Sequence, residues 1–411
     1  MARINTNVPA IVAQRTMQHT QRDLQLSLER LSSGLRINRG ADDPAGLINS
    51  ESLRADMAGT QKAIGNSQRA INIIATAEGA LNEVASLLID IQGLIVEIAN
   101  DAAMSDDEKK ANQLQIDSAI DSITRIADTT SFAGRKLING SLSYITSGVQ
   151  ASALAGVNVY GVQFGTFPYI PVEVAVTTSA QKAELQFRSS QITSDVTLVV
   201  AGNLGTATFE FDAGLAASAL LQAVNLDRQA TGIEAYFLNN SNPTSGIGFR
   251  SMGYGTDQFV EVRPLNQGGS FQVADADGNI KLRDVGRDAT GIINGASVTG
   301  RGLDLVLNSR TLNLMLTLNE DMGVGSTSFA ITGGGALFQL GPDVSPSQQV
   351  NIGIQSVAAA YLGNTQMGFL TQIKSGNEYE VARSESNAHQ ASLVVREAIR
   401  QVAVLRGRLG S

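Results

Sequence analysis

The chain has 411 residues, 43% of them hydrophobic, with a formal net charge of −8. That length and apolar content allow two to four domains with real cores, while the acidic balance argues against a nucleic-acid partner, which needs a basic face to displace counterions. Cysteine and Trp are absent and Gly reaches 41, so disulfides and thiolate metal sites are excluded, the cores are aliphatic and part of the chain is turn-rich.

The opening, from Met1 to Thr16, lacks the apolar run of a secretory signal, and no stretch is read as a membrane span. Pro9 suits a helix start. Met17, Leu24 and Leu31 then recur every seven residues, with Leu28 and Leu35 offset by four, which predicts a coiled-coil-type seam on an otherwise polar helix. Such a helix is marginal alone in water and calls for a partner; an ordinary amphipathic surface helix is the bland alternative. The stretch from Ile37 to Gly46 breaks the pattern with Gly40, Asp42, Asp43, Pro44 and Gly46. Asp42 and Asp43 could form an acid–base or metal pair, but Pro44 just beyond them favours a cap and turn.

From Leu47 a long helix is predicted. Ile74, Leu81, Leu88 and Ile95 repeat every seven residues, and Ala77, Val84, Ile91 and Ile98 do so three residues later, filling both core positions over four heptads. A polar break follows from Asn100. Ser105 before Asp106, Asp107 and Glu108 predicts a capped start for a third helix that turns back on the second. Asn139-Gly140 reads as a tight turn closing this region.

Between about 141 and 345 short β-branched runs replace helical periodicity. Strands are predicted at Val172–Thr177, Ala183–Phe187, Val196–Val200, Ala207–Phe211, Gln258–Val262, Leu303–Leu307 and Leu312–Leu318, with a helix at Leu215–Ala223 and a hairpin turn at Asp277-Gly278. One or two small β-rich or α+β domains are expected here. Helical periodicity is read again over Gln349–Asn364 and from Ala382 to Leu405.

The fold class expected from the residues is therefore mainly α with a β-rich or α+β insertion: N- and C-terminal segments form a long antiparallel, coiled-coil-like helical rod, and the middle projects from it. The segments are 1–40, a helix whose seam calls for a partner; 41–140, the N-terminal half of the rod; 141–345, the insertion; and 346–411, the C-terminal part of the rod.

Catalysis has little support. His19 and His389 are far apart, and no HExxH, GxSxG or P-loop pattern occurs. Asp275-Ala276-Asp277-Gly278-Asn279 has the flavour of a calcium loop without the EF-hand spacing or its closing Glu, so a β-turn is the better reading. Gly333-Gly334-Gly335 is read as a flexible joint. No catalytic residue, cofactor or metal is expected.

Several stretches resemble the bacterial flagellins. Leu31-Ser-Ser-Gly-Leu-Arg-Ile-Asn38 followed by Asp42-Asp43-Pro44-Ala45-Gly46-Leu47 resembles their N-terminal signature, as do the opening Ala2–Asn7, Ala75–Glu83 and Phe132–Gly140. Ile293-Asn294-Gly295 with Val298-Thr299-Gly300 resembles a small motif of flagellin insertions, and Ala388–Gly410 resembles the start of the family's C-terminal helix.

The resemblance implies an extracellular filament subunit for swimming motility. Terminal helices would form inner coiled-coil layers, and the middle segment would be a variable outer domain. It implies export, unfolded and without a cleaved signal peptide, through the flagellum's own channel, with copies of itself, the export machinery and cap or junction proteins as partners. No nucleic acid or membrane insertion is implied. Met17, Leu24, Leu28, Leu31 and Leu35 would be the assembly seam, and Arg36, Asn38, Asp42 and Asp43 the hinge beside it. Family members continue past Leu405–Ser411 into a second terminal helix, so the chain is expected to be C-terminally short and to lack that inner helix. The receptor-contact region of the family corresponds to Leu88–Leu94. Recognised members carry a basic residue where this chain has Asp90 and an acidic one where it has Gln115, so weak recognition is expected around Asp90, Leu94 and Gln115. Hook–filament junction proteins often share an Asp-Asp-Pro like that at Pro44, which keeps them as an alternative. A secreted adhesin or enzyme carried by 141–345 is the alternative from another class.

Overall fold

The computed structural model describes residues 7–100, 104–265 and 271–410, apart from the side chain of Glu385. The chain divides into two compact units: Met1–Ala70 with Phe338–Gln349, and Ile71–Leu337 with Val350–Ser411.

In the first unit, helix α1 (Val8–Ser33) starts at Asn7, whose side chain accepts the Ala10 N–H at 3.2 Å, with a proline in the first turn. It ends at Gly34, where φ is +69° and the backbone N–H closes on the Arg30 carbonyl at 2.9 Å. Only a residue without Cβ takes that left-handed stop at no cost. After a ten-residue joint, Gly34 to Asp43, the first part of helix α2 (Pro44–Ile98) begins. The segment Phe338–Gln349 is held as a turn by Gln348, which accepts the Asp343 N–H at 2.7 Å and donates to its carboxylate at 3.0 Å. Pro342 of this turn lies against Gly59 of α2, so closely that a Cβ there would sit 3.1 Å from the proline ring.

In the second unit the heptad positions of α2 are buried: Ala77, Leu81, Val84, Leu88, Ile91, Ile95 and Ile98. Ile74 is half-buried. Helix α3 (Asp106–Thr129) opens with a capping box in which Ser105 and Glu108 satisfy each other's backbone N–H groups. It buries Ile116, Ile120, Ile123 and Ala127 together with Asn112 and Gln113. Gln113 is the reason a polar residue can sit there. Its amide donates to the Ile373 carbonyl at 3.0 Å and its oxygen accepts the Val381 N–H at 3.0 Å, fastening α3 to the turns that precede the last helix.

By length and composition alone α2 could cross a membrane, which the sequence reading did not anticipate; 28% of its most apolar 18-residue window is buried in the protein. The heptad positions Leu81, Val84, Leu88, Ile91 and Ile95 of this helix are buried, while Ile89 and Val96 are exposed.

The β-rich region has two separate cores. The first contains Tyr144, Val172, Val174, Val176, Leu305, Leu314 and Ile331. It lies within the sheets built from Ala296–Thr299, Thr290–Ile293, Ile170–Thr178, Gly325–Gly334 and Tyr144–Ser147, in that order, and from the adjacent strands Asp304–Asn308, Leu312–Leu318 and Leu154–Val162. The second contains Leu185, Leu198, Val200, Leu220, Phe249 and Val260. Its sheets are Arg283–Val285, Phe259–Pro264, Val196–Gly202, Thr206–Phe211 and Glu184–Phe187, Ile247–Ser251, Ile233–Phe237, in those orders, with helix α4 (Ala217–Leu226) packed on them and the single turn α5 (Arg228–Thr231) following. Neighbouring strands run antiparallel throughout, and buried residues alternate along Val196–Gly202 and Leu312–Leu318 as one-sided strands require.

The motif at Ile293–Gly295 is a two-residue hairpin turn in which Asn294 (φ +48°) and Gly295 (φ +81°) are both left-handed. The Asn294 side chain also accepts the Glu173 N–H at 2.8 Å and donates to the Pro171 carbonyl at 3.1 Å, so one residue sets the turn and ties it to the next strand.

Helix α6 (Glu385–Gly410) buries Ala391, Val394, Val395, Ala398 and Val402. Near its end the Arg408 guanidinium lies 3.2 Å from the centre of the Tyr160 ring, on the strand Leu154–Val162.

Three expectations need correction. Gln349–Asn364 is not a helix: Gln349–Ile352 is a strand, Ile352 pairs with Gly161, and Ile354 bridges Leu142. Gly353 fixes this path, since any Cβ there would strike the Tyr144 ring at 2.6 Å. Gly333–Gly335 is no flexible joint. Gly333 and Gly334 belong to a paired strand, and Gly334 (φ +92°) passes so near Ser143 that a side chain would collide with its carbonyl. Asp277-Gly278 does form the expected turn, with the Gly278 N–H on the Asp275 carbonyl at 3.0 Å, but its flanks make only isolated bridges.

Candidate assembly surface

Helix α1 buries none of its residues. Met17, Leu24, Leu28, Leu31 and Leu35 are all exposed, Met17 at 67% and Leu31 at 81%. Burying such a side chain contributes roughly 2 kcal/mol, so the stripe represents a large unused stabilisation. The helix survives on its caps and on backbone bonding. The Thr16, Thr20 and Ser27 hydroxyls are satisfied within the helix by carbonyls four residues earlier.

The joint beside the seam is built by two carboxylates with separate tasks. Asp42 accepts the N–H groups of Asn38 and Arg39, both at 3.1 Å. Those two backbone bonds, more than the Arg30 and Arg39 cations, hold its carboxyl below the usual range. Asp43 caps α2: its side chain accepts the Gly46 N–H at 2.9 Å, its carbonyl accepts the Leu47 N–H at 2.9 Å, and Pro44 follows at the first helical position. Arg36 lies 3.8 Å from Asp43, and Arg39 donates to Glu29 at 3.0 Å. Gly46 lies under Ile37, where an added Cβ would meet the Ile37 side chain at 2.8 Å. The cap and turn reading of Asp42-Asp43 agrees with these bonds.

Asp90 and Gln115 are exposed on α2 and α3, and Leu94 is half-buried. His19 sits on α1 and His389 near the start of α6. Asp275 is committed within its own turn: Lys281 donates to it at 2.7 Å and Asn279 at 2.8 Å through its backbone N–H, and the carboxyl is lowered to about 2, chiefly by Lys281. Among the described residues no group of His, Cys, Asp and Glu side chains could hold a metal ion.

Gln113 and the contact between Gln92 of α2 and Ser392 of α6 were missed in the sequence. Both depend on partners hundreds of positions away, and the only local signal is a polar residue intruding beside an apolar seam.

A capped helix with an uncovered apolar seam, joined by a stiff loop to a heptad helix and followed by β-rich cores, is the plan of a helical protein that leaves one face for a partner. Residues 4–143 match the family model of the bacterial flagellin N-terminal helical region. Over those residues the chain is similar to the bacterial flagellins. It is 39% identical to polar flagellin F of Vibrio parahaemolyticus over 174 residues, which is 41% of this chain and 46% of that one. It is 38% identical to flagellin E of Vibrio cholerae over 200 residues, 46% of this chain and 53% of that one. The chain thus spans about half the length of these curated relatives. Among solved structures, the D2-D3 domains of the flagellar cap protein FliD from Escherichia coli align with 46% of this chain and all of that one, at 20% identity and a TM-score of 0.34.

Proposed function

We propose that the chain is a structural subunit of the extracellular flagellar filament, with no catalytic role. The observation that carries this is the seam on α1: Met17, Leu24, Leu28 and Leu31 are exposed at coiled-coil spacing on a helix that buries none of its residues, and Leu35, just past the helix end, is exposed beside them. In this reading residues 1–40 are the assembly helix, 41–140 and 346–411 contribute the coiled-coil-like rod, and 141–345 form the outward insertion. The subunit leaves the cell through the flagellar export machinery without a cleaved signal peptide. It assembles on copies of itself, in contact with cap and junction proteins, and uses neither nucleic acid nor membrane insertion. Asp90 and Gln115 make it a weak ligand for the vertebrate flagellin receptor. The relatives, flagellins by name, lend no support to a junction protein or to an adhesin or enzyme.

Electron microscopy tests the proposal. Purified chain is incubated alone and with short filament seeds of a Vibrio polar flagellin. Incorporation into tubular filaments, lost in Leu24→Glu/Leu31→Glu, is the expected result. Absence of incorporation, or equal incorporation by the double variant, overturns it.

A further inference from the structure

In the larger unit a cleft of 620 Å³ opens where three stretches meet: the end of α2 at Ile95, Val96 and Ala99, the start of α6 at Ser386 to Ser392, and the corner between α4 and α5 at Asn225 to Gln229. No described carboxylate lines it. Two of its walls bring basic groups: the Arg228 guanidinium from the corner and the His389 imidazole from α6. Arg396, two turns along α6 from His389, adds a second guanidinium to the field at the imidazole. Among the described residues none of these three side chains has a hydrogen bond or an ion pair. Elsewhere in the unit, comparable cations are matched: Arg400 with Glu397 at 2.6 Å, Arg250 with Glu234 at 2.9 Å, Lys374 with Asp121 at 2.6 Å. Like charges gathered around a half-buried imidazole repel one another unless an anion joins them.

The polar groups in the walls fit the same ligand. Ser386 is in the first turn of α6, where backbone N–H groups lack intrahelical acceptors and the helix dipole favours negative charge. The Ser392 hydroxyl accepts from Gln92 at 3.0 Å, which leaves its own proton free to donate.

We propose that this cleft binds a small oxyanion, a carboxylate or a tetrahedral sulfate- or phosphate-type group, held by Arg228 and His389 with Ser386 and Ser392 as further donors and favoured by the nearby charge of Arg396. Bound there, the anion ties the α4–α5 corner of the second β core to the helices α2 and α6. His389 adds a pH dependence. Burial first, then Arg396 and Arg228, hold it below its ordinary value, and α2 presents only Ile95, Val96 and Ala99, which carry no charge. A bound anion opposes both causes, so binding takes up a proton and strengthens as pH falls.

The chain has two histidines, so the ring-proton NMR line of His389 is assigned by His389→Gln, with the His19 line as an internal reference. The full chain is titrated with sulfate and separately with tartrate, ionic strength being held constant with chloride. The expected result is a saturable shift of the His389 line by at least one anion and an upward move of its titration midpoint. Whichever anion saturates first names the ligand class. Arg228→Gln/Arg396→Gln should weaken binding roughly tenfold or more, while Arg310→Gln, an exposed arginine outside the cleft, should leave it unchanged. A purely linear response to both anions, or an equal response in the double variant with an unchanged far-UV spectrum, overturns the proposal.

Discussion

The side-chain amide of Gln92 donates to the Ser392 hydroxyl at 3.0 Å, joining residues 300 positions apart. The bond fixes the register of α6 against α2 among otherwise aliphatic contacts, because an amide withdrawn from water must meet its acceptor. Ser392→Ala should destabilise the helical unit by about 1 kcal/mol, and Gln92→Leu/Ser392→Ala should recover part of that loss. The midpoint of urea unfolding followed by circular dichroism provides the check; a double variant less stable than Ser392→Ala would deny the bond its registering role.

Adjacent residues on α2 should respond very differently. Leu88 is fully buried, whereas Ile89 is 61% exposed. Leu88→Ala should cost about 2–5 kcal/mol, and Ile89→Ala no more than about 0.5 kcal/mol. The same unfolding measurement separates them, and similar costs would mean that the heptad face is turned elsewhere.

The seam is expected to be silent in the monomer. Leu24→Glu/Leu31→Glu should leave the thermal midpoint of the free chain within about 1 °C, given surface effects of about 0.5 kcal/mol or less. Amide exchange should be fast in α1 before Ile37 and slow within Ile74–Ile98. Uniform protection across both stretches would show that α1 already has a cover.

Asp275 supplies the pH dependence. Its carboxyl is lowered to about 2 by Lys281 first. The stability it contributes is therefore fully present above its unfolded value near 3.8 and lost as pH falls through about 2. The carboxyl carbon shift of Asp275 should titrate near the lower value, and Lys281→Met should move the midpoint up towards 3.8. An unmoved midpoint would mean that the Asn279 donors suffice alone.

Asp90 is the test of recognition. In reporter cells carrying the vertebrate flagellin receptor, the chain should activate weakly and Asp90→Arg more strongly. Clear activation by the unaltered chain at nanomolar dose would contradict the reading of this exposed carboxylate as a repulsive contact.

What was legible in the sequence was local or periodic. The heptads of α2, the Ser105 cap and the Asp43-Pro44 start each carry their cause within a few residues, and they stand where they were read. Gln349–Asn364 was misread because Val350, Ile352 and Ile354 alternate in steps of two, while the apolar residues after them mimic a helical spacing. The pairing of Ile352 with Gly161 decides between the two, and that partner is invisible locally. Gln113 and His389 were opaque for the same reason: their roles are set by Ile373, Val381 and Arg228, which only the folded chain brings near. The seam was legible both as a pattern and in its want of a partner, because a narrow apolar stripe on an otherwise polar helix has nothing local to cover it.

The joint between α1 and α2 has a consequence for the speed and cost of docking. Freezing a loose linker costs on the order of 1–2 kcal/mol for each residue ordered. Asp42, by holding the N–H groups of Asn38 and Arg39, and Asp43, by starting α2, have already frozen much of the Gly34–Asp43 stretch in the free chain. A partner meeting the seam therefore finds its target aimed, and the association free energy need not be spent on restricting that linker. Loosening the joint, as with Asp42→Ala, would slow capture while leaving every seam side chain in place.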